Sequence, residues 1–158
     1  MTESFQQLMR TITQAITQEL AGRPVSAELQ PWLNTHYGAD SDWFKQTTDA
    51  CQQGVAEGWM CNREHGGIKF GRVAKPDEAL SHFSVDVVDM ADIAGPHHTH
   101  PNGEIDLVMP LTPGALFDGQ PAGWKVYPPG SAHCPTVSQG RALVLYLLPQ
   151  GAIEFTKA

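Results

Sequence analysis

A chain of 158 residues is the size of one domain, and with 41% hydrophobic and 17% charged residues it can fill a core, which excludes a disordered protein. Ten Lys and Arg against seventeen Asp and Glu leave a net charge of −7 with no basic run, which argues against nucleic acid or an anionic membrane surface as partner. No stretch approaches the ~20 apolar residues of a membrane span. The opening MTESFQQLMR lacks the basic and apolar blocks of a secretory signal, so the expected location is cytoplasmic, with Cys51, Cys61 and Cys134 as free thiols.

Taken in chain order, the first sixty residues read as helical. Phe5, Leu8, Met9, Ile12, Ile16 and Leu20 recur at three- and four-residue steps and form one helical stripe. Ser4 and Gln7 have capping-box spacing, and Gly22 with Pro24 supplies a stop. A second helix is predicted from Ser26 to Gly38, with Pro31 later than a first-turn proline should be. A third runs from about Asp40 to Glu57, with Trp43, Thr47, Ala50 and Cys51 on one face and Gly58 at its end.

From Gly66 onward the pattern changes to short strands with Gly and Pro punctuation. The predicted strands are Ile68–Val73, His82–Met90, Glu104–Met109, Ala115–Phe117, Trp124–Tyr127, Arg141–Leu148 and Ile153–Phe155. Such a run without intervening helices suggests a mainly β sandwich or barrel. The expected organisation is a helical N-terminal region over 1–60 packed on an all-β body over 61–158.

Seven histidines are present, and four of them lie between His97 and His133. In His98-x-His100-x3-Glu104 the two imidazoles are two residues apart, so on an extended strand both project from the same face. Pro101-Asn102-Gly103 is turn chemistry that lets Glu104 begin the next strand. Pro128-Pro-Gly130-Ser-Ala-His133 is a second turn carrying another imidazole onto a strand. Three neutral imidazoles and a carboxylate suit a divalent transition metal, and the spacing admits Zn, Fe, Mn, Ni or Cu.

The paired motifs His98-x-His100-x3-Glu104 and Pro128-x-Gly130-x2-His133 resemble those of the cupin superfamily, which implies a small β-barrel of jelly-roll type with the metal inside. Three longer runs, SVDVVDMADIAGPHHTHPNGEIDLVMPLTPGA, FDGQPAGWKVYPPGSAH and GRALVLYLLPQGAIEF, resemble the bacterial 4-hydroxylaminobenzoate lyases of nitroaromatic degradation. That resemblance implies conversion of 4-hydroxylaminobenzoate to 3,4-dihydroxybenzoate (protocatechuate) with release of ammonia. Substrate plus water balances product plus ammonia without a redox change, so neither NAD nor flavin is required. The cupin likeness also implies a homodimer.

Under that reading the metal ligands are His98, His100, Glu104 and His133. Glu104 and Asp106 are the candidate catalytic carboxylates. Asp106 shares Glu104's strand face, either as a general acid whose pKa is raised by its neighbour or as a group that orients a metal-bound imidazole. Arg72 is the candidate partner for the substrate carboxylate, ahead of Lys69 and Lys125. Tyr127 and Trp124 are candidates to stack on the substrate ring, with a place in the core as the alternative for each. Ile105, Leu107 and Met109 make the opposite face of the Asp106 strand apolar, so helices or a second subunit must cover it. Two other functional readings keep the cupin site: a metal-dependent dioxygenase or isomerase of a small aromatic or sugar acid, and a non-enzymatic ligand-binding protein.

Overall fold

The computed structural model describes residues 1–157. Three helices come first. Helix α1 (Glu3–Leu20) buries Phe5, Met9, Ile12, Thr13 and Ile16 along one face. Its cap is Thr2, whose hydroxyl accepts from the Phe5 N–H, so the expected Ser4 box gives way to a residue that still has extended backbone. The one polar residue in that stripe, Thr13, returns its hydroxyl to the Met9 carbonyl at 2.8 Å. Helix α2 is shorter than expected, Leu29–His36, and its late start resolves the proline. Pro31 falls in the first turn, where an N–H would have no helical acceptor anyway. Helix α3 (Asp42–Glu57) begins one residue after the Ser41 cap and ends at Gly58 in the left-handed region. No helix among the described residues is long and apolar enough to cross a membrane.

The remainder is β-structure: β1 (Arg63–His65), β2 (Ile68–Ala74), β3 (Phe83–Ala94), β4 (His98–His100), β5 (Glu104–Pro110), β6 (Leu116–Phe117), β7 (Gly123–Tyr127), β8 (Ser131–His133), β9 (Thr136–Pro149) and β10 (Glu154–Phe155). A seven-stranded sheet has the order β1-β2-β3-β9-β5-β7, with β6 also beside β9, and a three-stranded sheet has the order β10-β4-β8. All pairings are antiparallel and the two sheets are not joined into a closed ring. The result is a jelly-roll arrangement with helices at its N-terminus. Strand β1 was not expected; Gly66 and Gly67, both at positive φ, close a two-residue hairpin that pairs it with β2.

Alternation along the central strands gives the large sheet two unlike faces. Ile105, Leu107 and Met109 of β5 and Leu143, Leu145 and Leu147 of β9 join one core with Phe5, Met9, Ile12 and Trp43 from the helices. The helices therefore supply the cover that the apolar face of β5 requires. Trp124 belongs to this core: it stacks on Trp43 with centroids 5.6 Å apart and donates from Nε1 to the Tyr37 carbonyl. On the opposite face Glu104, Asp106, Tyr146 and Leu148 look toward the small sheet. A one-residue slip of β5 would drive both carboxylates into the helical core, so burial specifies the register strongly.

Candidate metal centre

The small sheet brings the histidines together. His98 and His133 are directly paired across β4 and β8, and His100 lies two residues from His98 on the same face. The turn at Gly103 is tight, with φ at 92° and its N–H bonded to the His100 carbonyl. A Cβ there would sit 2.9 Å from Val25 and 3.0 Å from the Tyr127 carbonyl, so only glycine lets β5 begin with Glu104 aimed at the imidazoles. His98, His100 and Glu104 are buried, and His133 is nearly so.

Four donor atoms converge, all within 4.8 Å of one another. His98 Nε2 lies 3.2 Å from Glu104 Oε1, His100 Nε2 lies 3.0 Å from Oε2, and His133 Nε2 lies 3.2 Å from Oε2 and 3.1 Å from His98 Nε2. The other ring nitrogens define the tautomers. His133 Nδ1 faces Asp118 Oδ2 at 2.5 Å and must donate to it. Ser131 gives its own proton to the Pro128 carbonyl, so at 2.9 Å it accepts from His100 Nδ1. His98 Nδ1 faces the Pro96 carbonyl, a longer contact at 3.4 Å. Each ring thus spends its Nδ1 proton outward and turns an Nε2 lone pair inward, toward a carboxylate that can only accept. His100 Nε2 and Glu104 Oε2 are in contact yet make no hydrogen bond of proper geometry. Such a set of converging acceptors could hold a cation at its centre, and the donors suit a divalent transition metal.

The electrostatics show the same demand. Burial opposes ionisation of Glu104, but the imidazoles of His100, His133 and His98 against it outweigh that cost and hold the carboxyl well below its usual range. Burial likewise favours a neutral His133, but Asp118 and Glu104 on either side push its pKa up to about 9. Without a metal, a proton is drawn into the cluster.

Asp106 is completely buried beside Glu104, and no donor satisfies either of its oxygens. Burial first, then the charge of Glu104, raise its pKa well above that of an ordinary carboxyl. None of the three imidazoles has Asp106 as its outer partner: His133 faces Asp118 and His100 faces Ser131. Asp118 escaped the sequence reading. It accepts from His133 Nδ1, from the Tyr127 hydroxyl and from the Thr136 N–H.

A cavity of about 1050 Å³ opens beside the cluster, with His98 and Tyr146 in its wall. Arg72 lines this cavity too, with Nε on Asp86 at 2.9 Å and Nη2 on the Gly151 carbonyl at 3.1 Å. Tyr127 is not in the cavity wall: its ring packs on His133 and His100, with centroids 4.4 and 5.2 Å apart. All three cysteines are free thiols, Cys51 and Cys61 buried and Cys134 exposed.

Comparison with known proteins adds the lineage to this geometry. Residues 11–155 match the family PnbB, 4-hydroxylaminobenzoate lyase. The chain belongs to the 4-hydroxylaminobenzoate lyase family. A 4-hydroxylaminobenzoate lyase of Nocardioides sp. (strain LMS-CY) is 35% identical over 146 residues, covering 87% of this chain and 86% of that protein. One from Pseudomonas putida is 33% identical over 150 residues, covering 84% and 85%. Among solved structures, an RmlC-like cupin protein from Ralstonia eutropha aligns with a TM-score of 0.43 at 10% identity, over 58% of this chain and 61% of that one. The DMSP lyase DddQ from Ruegeria pomeroyi aligns with a TM-score of 0.40 at 18% identity, over 98% of each chain. Within the lyase family match lie all four converging donors, Asp106, Asp118 and Arg72.

Proposed function

We propose that this chain is a metal-dependent lyase that converts 4-hydroxylaminobenzoate and water to 3,4-dihydroxybenzoate and ammonia. The observation that carries the reading is the inward convergence of three Nε2 lone pairs and the Glu104 carboxylate beside a cavity containing Arg72, in a chain of this family. A divalent metal held by His98, His100, Glu104 and His133 would supply Lewis acidity toward the departing oxygen or an attacking water. The balance needs neither NAD nor flavin.

The chain's own residues do the rest. Arg72 receives the substrate carboxylate; its two anchors set the plane of the guanidinium, and Arg63 and Lys75 in the same wall add positive field within a chain of net charge −7. Burial, then the charge of Glu104 beside it, raise the pKa of Asp106 well above that of an ordinary carboxyl, which suits it to give up a proton during turnover. Tyr127 serves by holding Asp118 against His133 rather than by stacking on the ring.

The test is anaerobic incubation with 4-hydroxylaminobenzoate, measuring ammonia and 3,4-dihydroxybenzoate with chelator and after metal is returned. Equimolar products, lost on chelation and restored by metal, are expected. No ammonia above a heat-killed control overturns the reading, and so does dioxygen consumption stoichiometric with turnover in a parallel aerobic incubation.

A further inference from the structure

The register of the large sheet lines up one polar row beside the metal centre. Arg72 stands opposite Asp86, Asp86 opposite Tyr146, Tyr146 opposite Asp106 and Asp106 opposite Lys125, across β2, β3, β9, β5 and β7 in their order in the sheet. Residues directly opposite one another share a face, so all five project to the side of the imidazoles. Tyr146, in the middle of the row, has no part in the chemistry above.

Its surroundings isolate the hydroxyl. Tyr146 is 5% exposed and lines the cavity. Neither flanking carboxyl takes its proton: Asp86 accepts from Arg72 Nε and from the Ser84 hydroxyl, and both Asp106 oxygens are without a partner. A tyrosine buried to that degree ordinarily gives its proton to an acceptor. The cavity is the side from which an acceptor can arrive. The Tyr146 ring lies 6.4 Å from that of His98 and 6.3 Å from that of Phe117, centroid to centroid, and Phe117 packs edge-on against His133 at 6.1 Å. Tyr146 therefore stands at the cluster end of the cavity. Arg72 is two strands away, roughly 9–10 Å of sheet at the usual strand spacing. With a carboxylate on Arg72, the opposite end of a ligand reaches Tyr146. A phenol keeps its proton at neutral pH, and carboxyl groups on either side favour the neutral form further. Tyr146 is thus a donor, and the group it meets must accept.

We propose that Tyr146 is a further catalytic residue of this site, its hydroxyl donating to the oxygen of the substrate's N–OH group and holding that oxygen at the metal centre. The identity of that group rests on the lyase reading. The contact is a hydrogen bond and the proton stays on Tyr146. A ligand without the oxygen forfeits the contact, so Tyr146 separates the hydroxylamine from analogues that share only its ring and carboxylate.

Tyr146→Phe keeps the ring and removes only the hydroxyl. In the metal-loaded protein, kcat/KM for ammonia release from 4-hydroxylaminobenzoate should fall about tenfold, the worth of one hydrogen bond. The inhibition constant of 4-methylbenzoate, which carries the ring and the carboxylate but no acceptor at the far end, should stay within about twofold, with metal content unchanged. An unchanged kcat/KM overturns the assignment. Equal weakening of both ligands does so too, as does loss of metal, since either would make Tyr146 a packing residue. A wild type that releases no ammonia loses the lyase reading, and the unconsumed hydroxylamine can then be dialysed against the protein directly. A preference for it over 4-methylbenzoate that Tyr146→Phe abolishes keeps Tyr146 as the group that reads the N–OH oxygen; no such preference overturns that assignment as well.

Discussion

At the centre of the seven-stranded sheet the two faces are both buried and chemically opposite. Leu145 and Ile105 on the helix side and Glu104 and Asp106 on the other are all fully buried, and adjacent residues of one strand serve both. On the helix side burial itself is the driving force, about 1.5–3 kcal/mol for each large apolar side chain. On the other side burial is a cost, because it strips water from two carboxylates and three imidazoles. Helices stabilise the sheet; the site draws on that stability. The difference teaches that the N-terminal helices are no accessory to the centre, for they provide the scaffold against which a destabilising cluster of acceptors can be held together.

A crossed pair of substitutions would break this comparison if it is wrong. His100→Ala should remove bound metal and lower turnover by at least about a hundredfold, with only a small change in the unfolding free energy of the metal-free protein. Leu145→Ala should cost about 2–5 kcal/mol of stability while leaving metal stoichiometry and the turnover of the folded fraction intact. Metal analysis, ammonia release and denaturant titration on both variants decide the matter. If Leu145→Ala sheds metal as readily as His100→Ala does, the faces are not separable.

A smaller effect concerns pH in the metal-free protein. The His133 pKa is raised from 6.5 to about 9 in the folded state. Its contribution is therefore fully present below pH 6.5 and is lost as pH rises through about 9, an effect of up to about 3 kcal/mol. Metal replaces the proton between Asp118 and Glu104, so the metal-loaded protein should lack this alkaline decline. Urea titrations from pH 6 to 9.5, with and without metal, read the difference directly. Identical profiles would mean that His133 does not exchange its proton for the ion.

The helix side was largely legible in the sequence, and the site side only in part. The stripe from Phe5 to Ile16 and the alternation of β5 are local periodicities, and both are present in the structure. His98, His100 and Glu104 fall within six residues, so one strand and the turn that follows it bring them together. Asp118 meets His133 through the pairing of β6 with β9, a non-local contact that no spacing announces. It is hidden for a second reason. Asp118-Gly119 sits at the tip of a tight turn, both residues at positive φ, with Phe117 and Gln120 bonded across it. The turn accounts for an aspartate there completely, which leaves nothing to flag its second task. The first helical cap was misread for a comparable reason: Thr2 and Ser4 carry the same hydroxyl, and only the backbone at Thr2 is extended.

Asp118 also allows the subtlest division between scaffold and site, because one residue belongs to both. Asn tolerates the left-handed conformation that the turn imposes, so Asp118→Asn should keep the β6 hairpin, while the metal-free protein loses part of the stability that protonated His133 contributes. What changes is the outer partner of His133. An amide nitrogen facing Nδ1 offers a proton where the ring needs an acceptor, and even with the amide oxygen in place the negative charge is gone. The imidazole becomes a poorer donor to a cation and loses the carboxylate that raises its basicity. Metal affinity should fall about 10–100-fold, measured by competition with a chromophoric chelator, and turnover at saturating metal should fall less than it does for His100→Ala. Affinity within about twofold of wild type would reduce Asp118 to a turn residue. The charge of His133 would then have to come from Glu104 alone, inside the cluster.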